Sequence, residues 1–274
     1  MIFVHDRGRM ANNMLQYGHV YAWGREHGRQ TVSMRFAYKY PYFHICDMPH
    51  HNFATYVFAK YAAKWGLLPT VTFSDDAAQN ARNEQTMLAK RHLVVTGWEA
   101  RWYDLFLKYK SEILQLFAFR PEIEQHVTEV MENQRVVGTA PVILGVHIRR
   151  GDYANFYGGR FLYTDAQYAA IIRRFLALHP DQQVTVYICG NDPKLDRDYF
   201  RRELSECQVV FPDGNPGEDL CLLSHCHYLI GAPSTFSLVA AMYRDLPLYW
   251  IEDADAPLTE ASFRRFDYLF QHIY

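Results

Sequence analysis

The chain lacks any apolar segment approaching the ~20 residues that a helix needs to cross a bilayer. Its first residues, Met1 to Val4, run directly into His5, Asp6 and Arg7, so the apolar core of a secretory signal is also missing. The five cysteines are odd in number and contain no C-x-x-C pair, which disfavours a disulfide framework and a thiolate metal site. We therefore expect a cytoplasmic protein, peripheral to a membrane at most, with reduced and buried cysteines.

A marked excess of either charge is lacking as well. The 28 basic and 30 acidic residues leave a formal net charge of -2, which provides no overall attraction for nucleic acid or for an anionic membrane. Any binding of anions must come from local groups, and a nucleic-acid-binding function is disfavoured. What the chain does have is 49% hydrophobic residues over 274 positions, enough for the core of one large or two small domains.

Histidine is plentiful, with 13 residues, yet the histidines do not form a recognisable metal motif. The nearest clusters are His50 with His51 and His225 with His227, and neither has a third ligand at helical or hairpin spacing. The acidic triplet at 253–255 resembles a D-x-D cation site by its letters, but it lies in an acidic loop beside proline and is expected to be solvated. We expect no metal.

Residues 141–153 read PVILGVHIRRGDY and combine an apolar strand with a sudden group of charges. The strand is predicted over 142–148, and Arg149, Arg150 and Asp152 follow its carboxyl end, where open α/β sheets bind their ligands. Because a guanidinium fork matches phosphate oxygens, this pattern predicts a phosphorylated ligand. The alternative is a surface ion pair of Asp152 with one of the arginines.

Strand geometry strengthens the prediction of a binding site. Side chains alternate along a strand, so His147 and Arg149 share one face while Ile148 points into the core. A histidine and an arginine on one face form a compact set of donors. Such a set could hold a base and a phosphate together.

These residues also carry a family resemblance. His147, Arg149, Arg150, Asp152 and Tyr153 spell H-x-R-R-x-D-Y, which resembles the signature of the α-1,2-fucosyltransferases and of the wider group with the α-1,6- and protein O-fucosyltransferases. Two further segments extend the resemblance.

The first segment, residues 8–17, is similar to the family's G-G-L-G-N-Q-M-F-Q-Y, with Arg9 and Ala11 at two positions where the family has glycine. Since glycine permits a positive φ or a close backbone approach, we expect an altered loop geometry here. The same residues predict a helix start, with Asn12 or Asn13 as the cap.

The second segment, residues 218–237, is similar to the family's E-D-x-x-L-M-S-x-C run followed by a short strand and an S-T-F-S loop. The hydroxyls of Ser234, Thr235 and Ser237 fall at the start of a predicted helix, where free backbone N–H groups favour a phosphate. An ordinary serine or threonine cap is the alternative.

The resemblance implies an α/β fold of the GT-B class, in which two Rossmann-like domains enclose a nucleotide-sugar cleft. We expect residues 1–138 to form an acceptor-side domain and residues 139–274 the domain that binds the GDP-sugar, with a last helix near 262–273 that could pack back on the first. Periodicity alone predicts only the second domain. Its expected elements are strands 142–148, 184–189, 208–211, 228–230 and 247–251 and helices 165–178, 194–204, 218–226 and 236–243.

In the first half, periodicity predicts fewer elements and an aromatic-rich passage at 36–58. Such a passage is typical both of a sugar-stacking wall and of the edge of a core. The expected elements are strands 1–4 and 30–36 and helices 12–27, 101–118 and 121–135.

The activity that the resemblance implies is inverting, metal-independent transfer of fucose from GDP-fucose to a glycan hydroxyl, with the 2-OH of a terminal galactose as the expected acceptor. Catalytic roles are then expected for Arg149 and Asp152, of which Arg149 would stabilise the charge developing on the β-phosphate. Arg150 is expected to pair with Asp152. The residues expected to bind the donor are His147, Arg149, Asp219, Ser234, Thr235 and Asn12.

The general base stays open among Asp152, Asp6 and Glu218, and Tyr157 stands where the α-1,6 relatives have a glutamate. Two other functions also stay open. One is a non-catalytic protein that binds a GDP-sugar or a glycan, and the other is a transferase that uses a different nucleotide sugar.

Overall fold

The computed structural model describes residues 1–5, 7–135, 140–190 and 192–273, and it divides into two compact units, Met1–Arg120 and Pro121–Tyr274. Among the described residues, no helix combines the length and apolar character required to span a membrane.

The first unit is built on a four-stranded parallel sheet in the order β2-β1-β4-β3. Its strands are β1 (Ile2–His5), β2 (Thr31–Ser33), β3 (Thr70–Thr72) and β4 (Leu93–Thr96). Its helices are α1 (Met10–Glu26), α2 (Phe53–Lys64), α3 (Ala77–Ala89), α4 (Tyr103–Lys108) and α5 (Lys110–Leu116). The sequence predicted β1, β2 and α1, but it gave no elements between residues 59 and 100. The single helix expected over 101–118 is wrong, because the backbone leaves helical geometry at Tyr109 and divides it into α4 and α5.

The second unit carries a five-stranded parallel sheet in the order β7-β6-β5-β8-β9. Its strands are β5 (Val142–Ile148), β6 (Val184–Gly190), β7 (Gln208–Val210), β8 (Tyr228–Gly231) and β9 (Leu248–Trp250). Its helices are α6 (Pro121–Asn133), α7 (Asp165–Leu178), α8 (Arg197–Glu203), α9 (Pro216–Ser224), α10 (Thr235–Arg244) and α11 (Phe266–Phe270). The predicted alternation of strands and helices is confirmed throughout this unit.

Two features of the second unit differ from the expectation. Helix α11 is shorter than the predicted 262–273, because Arg264 forms a bridge to Leu248 of β9 before the helix begins, and α11 packs on α10 of the same unit. The expected domain boundary at 138/139 lies outside the described residues, and the division into units falls earlier, after Arg120, because α6 packs on α9.

The strand order makes β5 the centre of the second unit. The chain proceeds from β5 to β6 and β7 on one side, and then returns to build β8 and β9 on the other. The carboxyl ends of β5 and β8 therefore flank the point where the winding reverses, which is where open α/β sheets bind ligands.

The two faces of β5 are occupied differently. Leu144, Val146 and Ile148 are fully buried in the core cluster that includes α7 and α8. Gly145 faces the opposite side, where a Cβ atom would lie within 2.8 Å of the side chains of Leu223 and Cys226. Glycine at this position lets α9 pack closely on the strand and sets the face on which His147 lies.

Candidate functional site

His147 is the last buried polar side chain of β5. Its strand neighbours in register are Cys189 of β6 and Gly231 of β8, and its ring stacks on Phe236 in the first turn of α10 with 4.8 Å between ring centroids. Burial, assisted by the charge of Arg149, lowers the pKa of His147 to about 3, so the imidazole is neutral at pH 7. Its Nδ1 atom is buried and has no hydrogen-bond partner among the described residues.

Arg149 follows at the tip of the strand and forms an ion pair with Asp152. Its Nη2 atom lies 2.8 Å from Oδ1 and 2.9 Å from Oδ2 of the carboxylate. The Asp152 side chain is 53% exposed, so the pair opens to solvent rather than being sealed inside. The Nε atom of Arg149 is buried without a hydrogen-bond partner in the described part of the chain, and it could donate to a ligand.

Arg150 points to a different set of partners. Its guanidinium lies 2.5 Å from Asp165 and 3.2 Å from Asp192, and its Nε donates to the carbonyl oxygen of Tyr163. The expected pairing of Arg150 with Asp152 is corrected: Asp152 pairs with Arg149. Arg150 thus contacts two carboxylates, whereas Arg149 contacts one and keeps a buried Nε atom without a partner among the described residues.

Tyr153 joins this motif to the hydroxyl-bearing loop. Its buried hydroxyl donates to the carbonyl oxygen of Pro233, the residue before Ser234, and its ring lies 5.5 Å from the guanidinium of Arg149. The stacking of His147 on Phe236 makes a second connection. The end of β5 and the start of α10 are therefore brought together.

Ser234 and Thr235 begin α10. Ser234 has an extended backbone, and its Oγ accepts from the backbone N–H of Phe236 at 3.2 Å, which makes it the helix cap. Ser237 donates to the carbonyl oxygen of Ser234 and accepts from the indole of Trp250, so it fixes the loop. The capping alternative is thus realised at Ser234. Its hydroxyl proton stays available to a ligand, because the cap uses the oxygen only as an acceptor.

Asp219 lies on α9 beside the same edge of the sheet. Burial raises the pKa of its carboxyl to about 7, and the thiol of Cys189 hydrogen-bonds to it. Cys189 is also the register neighbour of His147 on β5. Asp219 and His147, both expected to bind the donor, are therefore connected through Cys189. Asp219, Gly214 and Glu218 line a pocket of about 230 Å³ between α6, residues 212–214 and α9.

Asn12 belongs to the first unit and lies in the first turn of α1. Gly8 has a φ of +84°, and a Cβ atom there would lie 2.7 Å from Nδ2 of Asn12. The predicted cap is wrong: the helix begins at Met10, after Arg9, whose backbone is extended and whose side chain makes no capping bond. Arg9 has a φ of -92° and Ala11 lies in the helix, so neither position needs glycine for a positive φ.

The candidates for a general base differ in their exposure and in their hydrogen-bond partners. Asp152 is paired with Arg149 but half-exposed, whereas the carboxylate of Glu218 accepts from the backbone N–H of Asn215 in a capping box. Asp6 lies outside the described residues. Tyr157 is exposed and has a φ of +47° in a short 3-10 turn.

A group of possible metal ligands lies elsewhere in the second unit. Atoms of Glu124, Cys221 and His225 lie within 4.8 Å of one another, a grouping that the sequence reasoning missed although Cys221 and His225 are four residues apart. The guanidinium of Arg244 lies 3.2 Å from the His225 ring, and Glu124 hydrogen-bonds to that ring. We therefore assign the group to a polar network that joins α6, α9 and α10.

The other residues considered as metal ligands have protein partners. His225 and His227 have different ones: His227 accepts from the backbone N–H of Ile143, whereas the ring of His225 contacts Glu124 and Arg244. The triplet at 253–255 forms a turn in which the Asp255 N–H donates to Asp253, and both aspartates are exposed.

Comparison with known proteins gives one matching family model, described as glycosyl transferase family 11, over residues 79–245. The galactoside 2-alpha-L-fucosyltransferase SEC1 of Bos taurus is 23% identical over 87% of this chain and 63% of its own length. The galactoside alpha-(1,2)-fucosyltransferase 2 of Bos taurus is 24% identical over 85% of this chain and 66% of its own length. The chain thus spans slightly less than two thirds of these relatives.

Solved structures show the fold. POFUT1 in complex with GDP-fucose superposes with a TM-score of 0.60 at 12% identity, covering 89% of this chain and 94% of that chain. A mutant of Arabidopsis thaliana FUT1 in complex with GDP superposes with a TM-score of 0.58 at 12% identity, covering 96% of this chain and 73% of that chain. The fold is therefore α/β of the GT-B class, as expected.

Proposed function

Because the chain belongs to glycosyl transferase family 11, we propose that it is an inverting, metal-independent glycosyltransferase that moves L-fucose from GDP-fucose to a glycan hydroxyl. The acceptor position that we propose is the 2-OH of a terminal galactose, in keeping with the names of the relatives. The observation that carries the proposal is the contact of the β5 motif with the α10 loop through Tyr153 and Pro233. This contact sets a guanidinium beside a hydroxyl-bearing helix start.

The proposed donor site divides into a phosphate part and a nucleoside part. Arg149, with Ser234, Thr235 and the amino-terminal end of α10, supplies cationic and neutral donors to the diphosphate. His147 offers its unpartnered Nδ1 to the nucleoside. The carboxylate of Asp219 accepts from guanine N1–H and the exocyclic amine, a pattern that adenine cannot supply.

Asn12 of the first unit is proposed as a further donor ligand. Gly8 supports this proposal, because it has no Cβ atom and so leaves room for the side-chain amide of Asn12.

The chemistry follows from where charge develops. As the bond between the fucose anomeric carbon and the β-phosphate oxygen breaks, negative charge accumulates on the leaving diphosphate and positive charge on the sugar ring. A fixed guanidinium at Arg149 stabilises that charge more in the transition state than in the ground state. The acceptor hydroxyl attacks the opposite face, which inverts the anomeric configuration.

The proton of the acceptor hydroxyl needs a destination. We propose Asp152, which is half-exposed and lies beside the phosphate-binding guanidinium. A dissociative transition state needs little help from a base, because the proton leaves late.

A direct test is a transfer assay with GDP-fucose and a β-galactoside acceptor in buffer containing EDTA, with the product linkage read by NMR. We expect a fucosyl group on the galactose 2-OH. GDP binding without transfer to any galactoside would instead support the non-catalytic binder. That alternative was based on Arg9 and Ala11, where the family has glycine, although neither residue has a positive φ.

A further inference from the structure

Helix α2 buries small side chains and exposes large aromatic ones, the reverse of a typical amphipathic helix. The face turned to the core carries small residues, among them Ala59 and Ala62, which are buried. The face turned to solvent carries large apolar residues, and Phe58 and Trp65 are 60% and 69% exposed. We call this surface the α2 aromatic face, and its members are Phe53, Phe58, Tyr61, Trp65 and Leu67.

The aromatic rings of this region are grouped rather than scattered. Tyr61 and Trp65 lie 5.6 Å apart, one turn from each other, while Tyr38 lies 4.3 Å from Tyr56 in a tilted arrangement and 6.3 Å from Phe53. Clustered exposed apolar side chains of this kind mark an interaction site more often than singly exposed ones do.

The charges beside the α2 aromatic face have one sign. Lys60 and Lys64 are exposed on the same helix, and the ammonium of Lys60 lies 5.5 Å from the ring centre of Tyr56 and 5.8 Å from that of Tyr61. Residues 48–74 contain no aspartate or glutamate, although acidic residues outnumber basic ones in the whole chain. The surface is therefore locally cationic and aromatic.

We propose that the α2 aromatic face docks on an anionic lipid surface. Tryptophan and tyrosine favour the headgroup region of a bilayer, where an apolar ring and a polar atom are both accommodated. A helix with lysines beside Trp, Phe and Leu binds in the plane of that interface by apolar burial and by attraction to anionic lipids. Helix α2 has 12 residues and lies on the surface without crossing the bilayer.

Two other occupants fit the chemistry less well. A second copy of the chain would bring two more lysines to the contact and no carboxylate from this face to neutralise them. A glycan would require acceptors for its hydroxyls, and the face provides none beyond Tyr61, because the side chain of Asn52 is used to cap α2 at Thr55. The charge and the aromatic composition therefore favour anionic lipid.

The test is co-sedimentation of the full chain with two kinds of vesicle. One is phosphatidylcholine alone, and the other also contains about 30% phosphatidylglycerol to give an anionic surface. We expect binding to the anionic vesicles that weakens at high salt. Phe58→Ser with Trp65→Ser should reduce the partition coefficient roughly tenfold or more. Lys60→Glu with Lys64→Glu should remove the preference for anionic lipid.

The matched controls are Leu88→Ser and Tyr268→Ser, which replace exposed apolar residues elsewhere and should bind as the unaltered chain does. A second readout is quenching of tryptophan fluorescence by brominated lipid, which Trp65→Phe should abolish while leaving most of the sedimentation intact. Absence of binding to both vesicles, or unchanged binding by the Phe58/Trp65 variant, would overturn the proposal. Concentration-dependent dimers lost in that variant, without vesicle binding, would overturn it in favour of a second copy.

Discussion

The hydroxyl of Tyr153 donates a hydrogen bond to the carbonyl oxygen of Pro233, 80 residues further along the chain. This bond joins the strand-end motif that carries Arg149 to the loop that carries Ser234. Because the donor and the acceptor are both buried, the bond fixes the distance between the two proposed phosphate-binding groups.

Tyr153→Phe should therefore weaken both the fold and the site. It leaves the buried carbonyl of Pro233 without this donor, which costs roughly 1–3 kcal/mol of unfolding free energy. We also expect weaker GDP binding, because the α10 loop is no longer held against β5. Chemical denaturation and calorimetric titration measure the two effects, and Tyr268→Phe, which removes an exposed hydroxyl, should change neither.

Arg149→Ala should lower kcat for fucosyl transfer by roughly 10²–10³, since it removes the cation that stabilises the leaving diphosphate. KM for GDP-fucose should rise by a smaller factor than that by which kcat falls. Arg201→Ala is the control, because Arg201 is exposed, pairs with Asp198 at the surface and lies 5.4 Å from the ring centre of Phe211, away from the proposed donor site. A folded Arg149→Ala protein with full turnover would refute the assigned role.

GDP affinity should depend on pH through Asp219. Burial raises the pKa of this carboxyl to about 7, and the ionised form is the one that we propose accepts from guanine. Ionisation is therefore incomplete below pH 7, and the association constant should rise about tenfold between pH 6 and pH 8. In Asp219→Asn the dependence should shrink to that of the GDP phosphate itself, and an equal pH dependence in both proteins would contradict the assignment.

The stability of the free protein should show the opposite trend from the same group. A carboxyl with a raised pKa contributes stability that is fully present below its unfolded value of 3.8 and is lost as the pH rises through about 7. Thermal unfolding without ligand should therefore show a contribution that falls between about pH 4 and pH 7, levels off above about pH 7 and is absent in Asp219→Asn.

Gly8→Ala tests the proposed contribution of Asn12. Both Gly8 and Gly28 have positive φ angles, but a Cβ atom at Gly28 meets open space whereas one at Gly8 meets the Asn12 amide. Both alanine variants should lose roughly 1 kcal/mol from backbone strain. Only Gly8→Ala should also reduce GDP-fucose binding, and an equal effect of the two substitutions on binding would argue against Asn12 as a donor ligand.

The second unit could be predicted from sequence because its strands are long, apolar and regularly separated by helices. The alternation around His147 and Ile148 even gave the correct face of β5. The middle part of the first unit could not be predicted. Strand β3 buries only Val71 and exposes Thr70 and Thr72, so it gives little apolar pattern, and β4 is a run of only four residues. The α2 aromatic face also makes α2 hard to predict, because its apolar residues point outward and obscure the helical pattern.

At the site, sequence reasoning found the groups but not their pairings. It gave the arginines at the strand end, yet which one meets Asp152 depends on Asp165 and Asp192, whose approach to Arg150 is set by the tertiary fold. It also expected glycine to matter at Arg9, whereas among residues 7–11, all of them described, the positive φ belongs to Gly8.

The central claim is that Arg149, with the start of α10, holds a guanosine diphosphate. Its most direct measurement is the shift in unfolding temperature of the full chain, in EDTA, with equal concentrations of GDP, UDP and CDP. The account predicts clear stabilisation by GDP, little by UDP or CDP, and loss of the GDP effect in Arg149→Ala. Equal stabilisation by all three, or none by GDP, would contradict it.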